Sequence, residues 1–139
     1  MNNPTPPRQS RRFRSVLDPS EHERLIARLL SDPRKAEAMK WLKKVRSGEE
    51  RTIGRRRTTA TSAKLVQKLY NLGASEVIAA QIRPARKGNG QHTGKLLVRL
   101  PKDQEHRKEI FDWCERQRDS FGYSPSLDRG ERYLFLLLD

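Results

Sequence analysis

Apolar residues near the middle of the chain recur at the three- and four-residue spacing of an α-helix. Ala63, Val66, Leu69 and Tyr70 lie on one face of the predicted helix, and Gly73 follows as its end signal. Beyond this glycine the apolar residues cluster in short runs rather than at helical spacing. The change predicts a helix that is followed by strands.

The rest of the second half predicts two adjacent strands, a charged helix and a last strand. Segments 76–82 and 96–100 are rich in Val, Ile and Leu, and the short connection between them, roughly a dozen residues, favours antiparallel pairing. Segment 102–119 has the alternating charges of a solvent-facing helix. The nearly continuous apolar run 133–138 is typical of a strand covered on both faces. The last strand–helix–strand unit is expected to cross over with a right hand.

This element order predicts an α+β fold. The order helix, strand, strand, helix, strand is most of a ferredoxin-like or related α-β-β-α-β sandwich, in which helices cover one face of a sheet of three or four strands. A ferredoxin-like sandwich has one more strand before its first helix, and residues 51–58 are the sole candidate for that strand. If they do not form it, the predicted sheet has three strands. The likeness is one of element order and names no family.

The first half of the chain predicts a helical hairpin over residues 19–47. Asp18 and Asp32 are each followed by proline, a start signal in which Asp caps the helix and Pro takes its first position. Apolar residues at helical spacing follow each signal. One long helix is not expected, because Pro33 would interrupt its hydrogen bonds. Both apolar stripes are thin, so the hairpin should dock on the rest of the chain or on another subunit.

The predicted organisation therefore has four parts. A disordered basic tail covers 1–17, the helical hairpin 18–48, and a basic linker or edge strand 49–59. A compact α/β domain covers 60–139. Arginines in 49–59 would keep an exposed sheet edge soluble if that segment is a strand.

The distribution of charge predicts what kind of surface this fold presents. The chain of 139 residues carries 30 Lys and Arg against 17 Asp and Glu, a net charge of +13. Residues 1–59 hold 16 of these cations and 7 of the acids. The run 55–57 consists of three arginines, and side chains of like charge gain little by packing inward. Such a surface favours a polyanion such as nucleic acid.

A second basic segment is the connection between the two middle strands. Its glycines predict a mobile loop that could follow a phosphate backbone. The residues that we expect to contact nucleic acid are all Lys or Arg, and they are Arg51, Arg55, Arg56, Arg57, Arg83, Arg86, Lys87 and Lys95.

Several other kinds of chemistry are not predicted. The glycine spacing before Lys95 differs from that of a P-loop, and a strand follows where a helix would be needed. The strand 96–100 has no aromatic residue on which a base could stack. The three histidines and Cys114 do not have the spacing of metal ligands, and no nucleophile–base pair is visible. We therefore expect no cofactor and no enzymatic activity.

The sequence thus predicts a small, basic, non-enzymatic nucleic-acid-binding protein. Contacts would be mainly to phosphate, with RNA or structured nucleic acid preferred. The alternative is a protein-interaction or assembly module that associates through residues 18–48 and whose charge serves solubility. The single cysteine fits a reducing compartment, and we expect a cytoplasmic protein with no membrane insertion.

Overall fold

The computed structural model describes residues 18–116 and 128–139, so the predicted tail 1–17 lies outside the described residues. The helices are α1 Pro19–Ser31, α2 Ala38–Lys43, α3 Thr59–Asn71 and α4 Gln104–Arg116. The strands are β1 Ala36–Glu37, β2 Glu50–Ile53, β3 Glu76–Ala80, β4 Arg83–Pro84, β5 Gly90–Thr93, β6 Lys95–Arg99 and β7 Tyr133–Leu137. The predicted α+β class is confirmed.

The strands form two sheets. The larger sheet has the order β1-β3-β6-β7, and every neighbouring pair in it is antiparallel. The smaller sheet has the order β2-β5-β4, with β2 parallel and β4 antiparallel to β5. Residues of the smaller sheet line the cleft described below.

Both faces of the larger sheet are buried. On one face α2, α3 and α4 contribute Trp41, Leu69 and Ile110 to the cluster that contains Val98 of β6. On the other face Leu29 of α1 belongs to a second cluster formed by α1, β3, β6 and β7. Because successive side chains of a strand alternate between faces, double coverage explains the continuous apolar runs of β6 and β7.

The predicted helical hairpin is present only in part, because its two helices lie against opposite faces of the larger sheet and the second is short. Its first helix is present, and Asp18 and Glu21 form a capping box at its start. Asp32 instead forms a turn with Arg34, whose backbone and guanidinium donate to it, and this lowers the pKa of Asp32 to about 2. The second helix begins only at Ala38 and has six residues. A capping box needs Glu or Gln at the third helical position, where the second signal has Lys35.

The candidate edge strand lies elsewhere than expected. Residues 50–53 form β2, but β2 pairs with β5 in the smaller sheet, and β1 supplies the fourth strand of the larger one. A ferredoxin-like arrangement is therefore not confirmed. Glu37 of β1 is tied to the core, because Tyr70 donates to its carboxylate while Val77 N–H donates to the Tyr70 oxygen.

The expected right-handed crossover is also wrong, because β7 runs antiparallel to β6. The chain leaves the sheet after β6 and returns at the same end, where Leu100 N–H donates to Arg132 O over 2.9 Å. Arg107 of α4, only 5% exposed, donates to both oxygens of Asp128 over 2.8 and 2.6 Å. This bidentate pair joins α4 to the segment that leads into β7.

Candidate functional site

An open cleft of about 950 Å³ is lined by the segment before α3 and by the hairpin of β4 and β5. Basic side chains from both segments contribute to its wall. The basic residues that line it are Arg56, Arg57, Arg83, Arg86 and Lys87. Two stretches that are far apart in the sequence are therefore brought to one surface, which we call the basic cleft.

The three consecutive arginines are held at both ends of their segment. Before them, Gly54 has a left-handed φ of +60°, and a Cβ there would lie 2.7 Å from the Leu138 Cβ. Arg56 N–H donates to Ile53 O over 3.2 Å and closes a turn. After them, Thr58 caps the start of α3. Glycine is required at position 54, and the short segment presents its arginines between two fixed points.

The hairpin of β4 and β5 carries the other cations. Ala85 N–H donates to Gly90 O over 3.1 Å at its base, and Arg86 and Lys87 lie exposed near its tip. Gly90 has a φ of +133°, and a Cβ there would lie 1.8 Å from Glu50 O. The close approach of β2 and β5 therefore needs glycine at this position.

Four polar side chains meet at the wall of the basic cleft. The strand register places Thr52 beside His92 and His92 beside Arg83 in one row across the smaller sheet. His92 Nδ1 lies 2.8 Å from Thr52 Oγ1, and His92 Nε2 lies 2.9 Å from Asp139 Oδ1. Arg83 Nη2 donates to Asp139 Oδ2 over 3.3 Å. The carboxylate of Asp139 thus bridges two neighbouring strands.

The other acids of the cleft are engaged by backbone donors. Glu50 Oε1 accepts from Thr59 N–H over 2.6 Å, and this hydrogen bond lowers the pKa of Glu50. Glu49 Oε1 accepts from Arg46 N–H over 2.9 Å. Within the part of the chain that the structure describes, neither carboxylate forms an ion pair with the cleft cations Arg57, Arg83, Arg86 and Lys87.

Asp139 is held in its ionised form. Burial acts most strongly on this carboxyl and favours the neutral acid, but the hydrogen bond and attraction of His92, followed by those of Arg83, outweigh it. The net effect is a pKa of Asp139 below its usual value. An ionised carboxylate accepts hydrogen bonds and donates none, so any further partner of Asp139 must be a donor.

Five of the eight predicted site residues line the basic cleft, and Arg55 is exposed in the same segment without lining it. Arg57, Arg86 and Lys87 are exposed and form no ion pair with a residue in 18–116 or 128–139. These three guanidinium and ammonium groups are therefore available to an anion from outside.

The two remaining predicted residues lie away from the cleft. Arg51 is turned inward, with its side chain 12% exposed, its Nη1 donating to Trp41 O over 2.7 Å and its guanidinium carbon 6.0 Å from the centre of the Trp41 ring. Lys95 Nζ donates to Gln81 Oε1. Both side chains have partners within the protein, and we leave them out of the interface.

Thr52, His92 and Asp139 line the cleft but are not among the residues that the sequence predicts for the site. The parallel pairing of β2 with β5 brings Thr52 and His92 together across 40 positions, and the end of β7 brings Asp139 to them. Nothing in the spacing of these residues signals that they meet. The polar, glycine-containing sequence of β5 predicts a loop rather than a strand.

The other histidines and the cysteine are not in the basic cleft. His22 is buried with Nε2 2.9 Å from Tyr133 O, His106 Nδ1 lies 2.7 Å from Asp103, and Cys114 is buried. Residues 18–116 and 128–139 contain no group of three or more His, Cys, Asp or Glu that could hold a metal ion. In the same ranges, no helix has the length and apolarity that crossing a membrane requires.

Comparison of the chain with protein-family models, with curated proteins and with solved structures finds no match. A functional proposal for this protein therefore depends on the charge and geometry of the basic cleft.

Proposed function

We propose that the basic cleft binds the sugar–phosphate backbone of a nucleic acid, preferably RNA or structured nucleic acid. The observation that carries this proposal is the presence of Arg57, Arg86 and Lys87, from two segments, around one open cleft without ion-pair partners among the described residues. A cytoplasmic location stays a prediction from the single cysteine.

Phosphate is the ligand that this arrangement suits best. Cations that share a cleft repel one another, and a polyanion relieves that repulsion while it releases its condensed counterions. Arg contributes several donors in a fixed plane, which match the oxygens of a phosphate, and Lys contributes a compact point charge. The cleft is open, so an extended chain of phosphates could lie along it.

Base stacking is not expected to contribute. Both faces of the larger sheet are buried, by α1 on one side and by the other helices on the opposite side. Among residues 18–116 and 128–139, those that line the cleft include no Phe, Tyr or Trp. Contacts would therefore be mainly to phosphate, and affinity should depend little on base sequence.

The salt dependence of binding tests this function. Fluorescence anisotropy with a labelled RNA, repeated over a series of KCl concentrations, gives the slope of log affinity against log salt. Replacing Arg57, Arg86 and Lys87 together by Ala should reduce this slope by about three, because roughly one phosphate contact is lost with each cation. The loss should be similar for RNAs of different sequence.

A variant with the same change in charge provides the control. Arg24, Arg28 and Lys68 are exposed on helices and do not line the cleft, so their replacement by Ala should change the slope much less. Equal effects of the two triple variants would contradict the assignment of the cleft. Affinity that is independent of salt, or the absence of binding to any nucleic acid, would contradict the function itself.

The alternative function, association through residues 18–48, has less support. The most buried apolar residues of this segment already pack inside this chain, with Ile26 and Leu29 against the larger sheet and Trp41 and Leu42 in the main cluster. Light scattering distinguishes the two functions. A stable oligomer that binds no nucleic acid would favour association.

A further inference from the structure

The basic cleft contains an acid that phosphate binding alone does not explain. Asp139 lies among the basic side chains, and its side chain is 39% exposed at the cleft wall. A negative charge next to a phosphate weakens phosphate binding. The carboxylate therefore either serves only to join Arg83 and His92 in the cleft wall, or it contacts an uncharged part of the ligand.

The surroundings of Asp139 fix its position. His92 and Arg83 each donate to a different oxygen of the carboxylate, and His92 is itself held by Thr52. At Gly94, a Cβ would lie 2.0 Å from Asp139 Oδ2, so the absence of a side chain there leaves room for the carboxylate. A carboxylate has about four lone-pair positions, and two of them are used. The others can accept from a ligand.

We propose that Asp139 accepts a hydrogen bond from the ribose 2′-hydroxyl of a nucleic acid bound in the basic cleft, and that this contact selects RNA over DNA. The inference rests on the proposed function. The 2′-hydroxyl is the uncharged donor that lies next to the phosphate in every ribonucleotide and is missing from DNA. DNA would bring the same negative phosphates to Asp139 without the donor that compensates for its charge.

The neighbouring groups can serve the phosphate at the same time. Arg83 uses one nitrogen for Asp139, and the guanidinium group carries further N–H donors. A nucleotide whose 2′-hydroxyl meets Asp139 can therefore have its phosphate bound by Arg83 and the nearby cations. In this arrangement Asp139 contacts the ribose, and the basic side chains of the cleft contact the phosphates.

The first experiment compares three ligands with the unchanged protein. Single-stranded RNA, DNA and 2′-O-methyl RNA of one sequence, written only with A and C so that the bases are identical, are titrated by fluorescence anisotropy at one salt concentration. We expect RNA to bind about tenfold more tightly than DNA, the effect of one hydrogen bond to a charged group. The 2′-O-methyl RNA should bind like DNA, because it keeps the ribose oxygen but has no donor.

The second experiment removes the acceptor. Asp139→Ala should abolish the preference for RNA, and it should leave DNA binding unchanged or tighten it, because a negative charge leaves the cleft. A purely structural role of Asp139 would weaken the binding of both ligands equally. Asp112→Ala, which changes the net charge by the same amount on the exposed face of α4, should keep the preference.

The outcomes separate this inference from the proposed function. Binding of all three ligands with equal affinity, or a preference for RNA that survives in Asp139→Ala, overturns the ribose contact and leaves the phosphate-binding cleft in place. A 2′-O-methyl RNA that binds as tightly as RNA also overturns it. Failure of every ligand to bind contradicts the proposed function.

Discussion

His92 Nε2 lies 2.9 Å from Asp139 Oδ1 at the wall of the basic cleft, although the two residues are 47 positions apart in the chain. Both ring nitrogens of His92 are engaged, because Nδ1 lies 2.8 Å from Thr52 Oγ1. The ring therefore has a fixed orientation between Thr52 of β2 and Asp139, which lies two residues beyond the end of β7. This relationship connects the fold to the site.

Gly94→Ala should displace the Asp139 carboxylate without changing its chemistry. A Cβ at position 94 would lie 2.2 Å from Asp139 Cγ and 2.8 Å from Asp139 Cβ, and Gly94 does not have a left-handed φ, so Asp139 is the residue that must move. We expect the RNA preference to be lost as it is in Asp139→Ala, with a decrease of about 1 kcal/mol or less in the free energy of unfolding. Anisotropy and urea unfolding measure the two effects. An unchanged preference would show that the position of the carboxylate does not matter.

Gly90→Ala should disrupt the pairing of β2 with β5. The added Cβ would lie 1.8 Å from Glu50 O and 2.9 Å from two further backbone atoms, at a φ of +133° that other residues rarely adopt. Because the backbone itself must move, we expect a loss of about 3 kcal/mol in the free energy of unfolding, measured in urea.

Gly88→Ala is the matched control in the same hairpin. Gly88 also has a left-handed φ, +72°, but its Cβ would meet no atom within 4 Å. Its replacement should cost about 1 kcal/mol, the usual penalty for the backbone conformation alone. Equal losses for the two variants would mean that the contact with Glu50 O has no effect.

The elements that the sequence predicts are those whose apolar pattern is decided locally. The stripe of α3 and the apolar runs of β3, β6 and β7 follow from burial on one face or on both, and the structure contains all four elements. The second Asp–Pro signal does not start a helix at Asp32, because a capping box needs Glu or Gln at the third helical position and Lys35 occupies it. Asp32 instead accepts hydrogen bonds from Arg34.

The cations of the candidate site could be predicted from the sequence, but its row of polar side chains could not. The exposure of cations such as Arg57 and Lys87 can be predicted from the sequence, because a charged side chain in a polar segment stays in water unless it has a buried partner. The two segments that carry them line one cleft. The row of Thr52 and His92 depends on parallel pairing between two short polar strands. Such pairing is set by the tertiary structure rather than by the residues of the strands themselves. Arg51 differs from these cations, because its guanidinium group donates to Trp41 O and lies over the Trp41 ring.

Arg107 and Asp128 should be coupled in their effects on stability. Arg107→Met keeps much of the buried volume but removes both hydrogen bonds to Asp128, and we expect it to lower the free energy of unfolding by about 2 kcal/mol. The value is below that of a fully buried pair because the Asp128 side chain is 24% exposed. In a double-mutant cycle with Asp128→Asn, the combined loss should be smaller than the sum of the single losses. Additive losses would show that the pair makes no net contribution.

The same pair predicts how stability depends on pH. The hydrogen bonds from Arg107 lower the pKa of Asp128 in the folded protein, against the opposing effect of burial. A group with a lowered folded pKa stabilises the protein fully above its unfolded value, here 3.8, and loses that contribution as the pH falls towards the folded pKa. The difference in unfolding free energy between the unchanged protein and Asp128→Asn should therefore be largest from about pH 5 upwards and should shrink below about pH 4. Urea unfolding at a series of pH values measures it. A difference that stays constant through the acid range would mean that the charge of Asp128, as distinct from its shape, contributes nothing to the closure of the segment between β6 and β7.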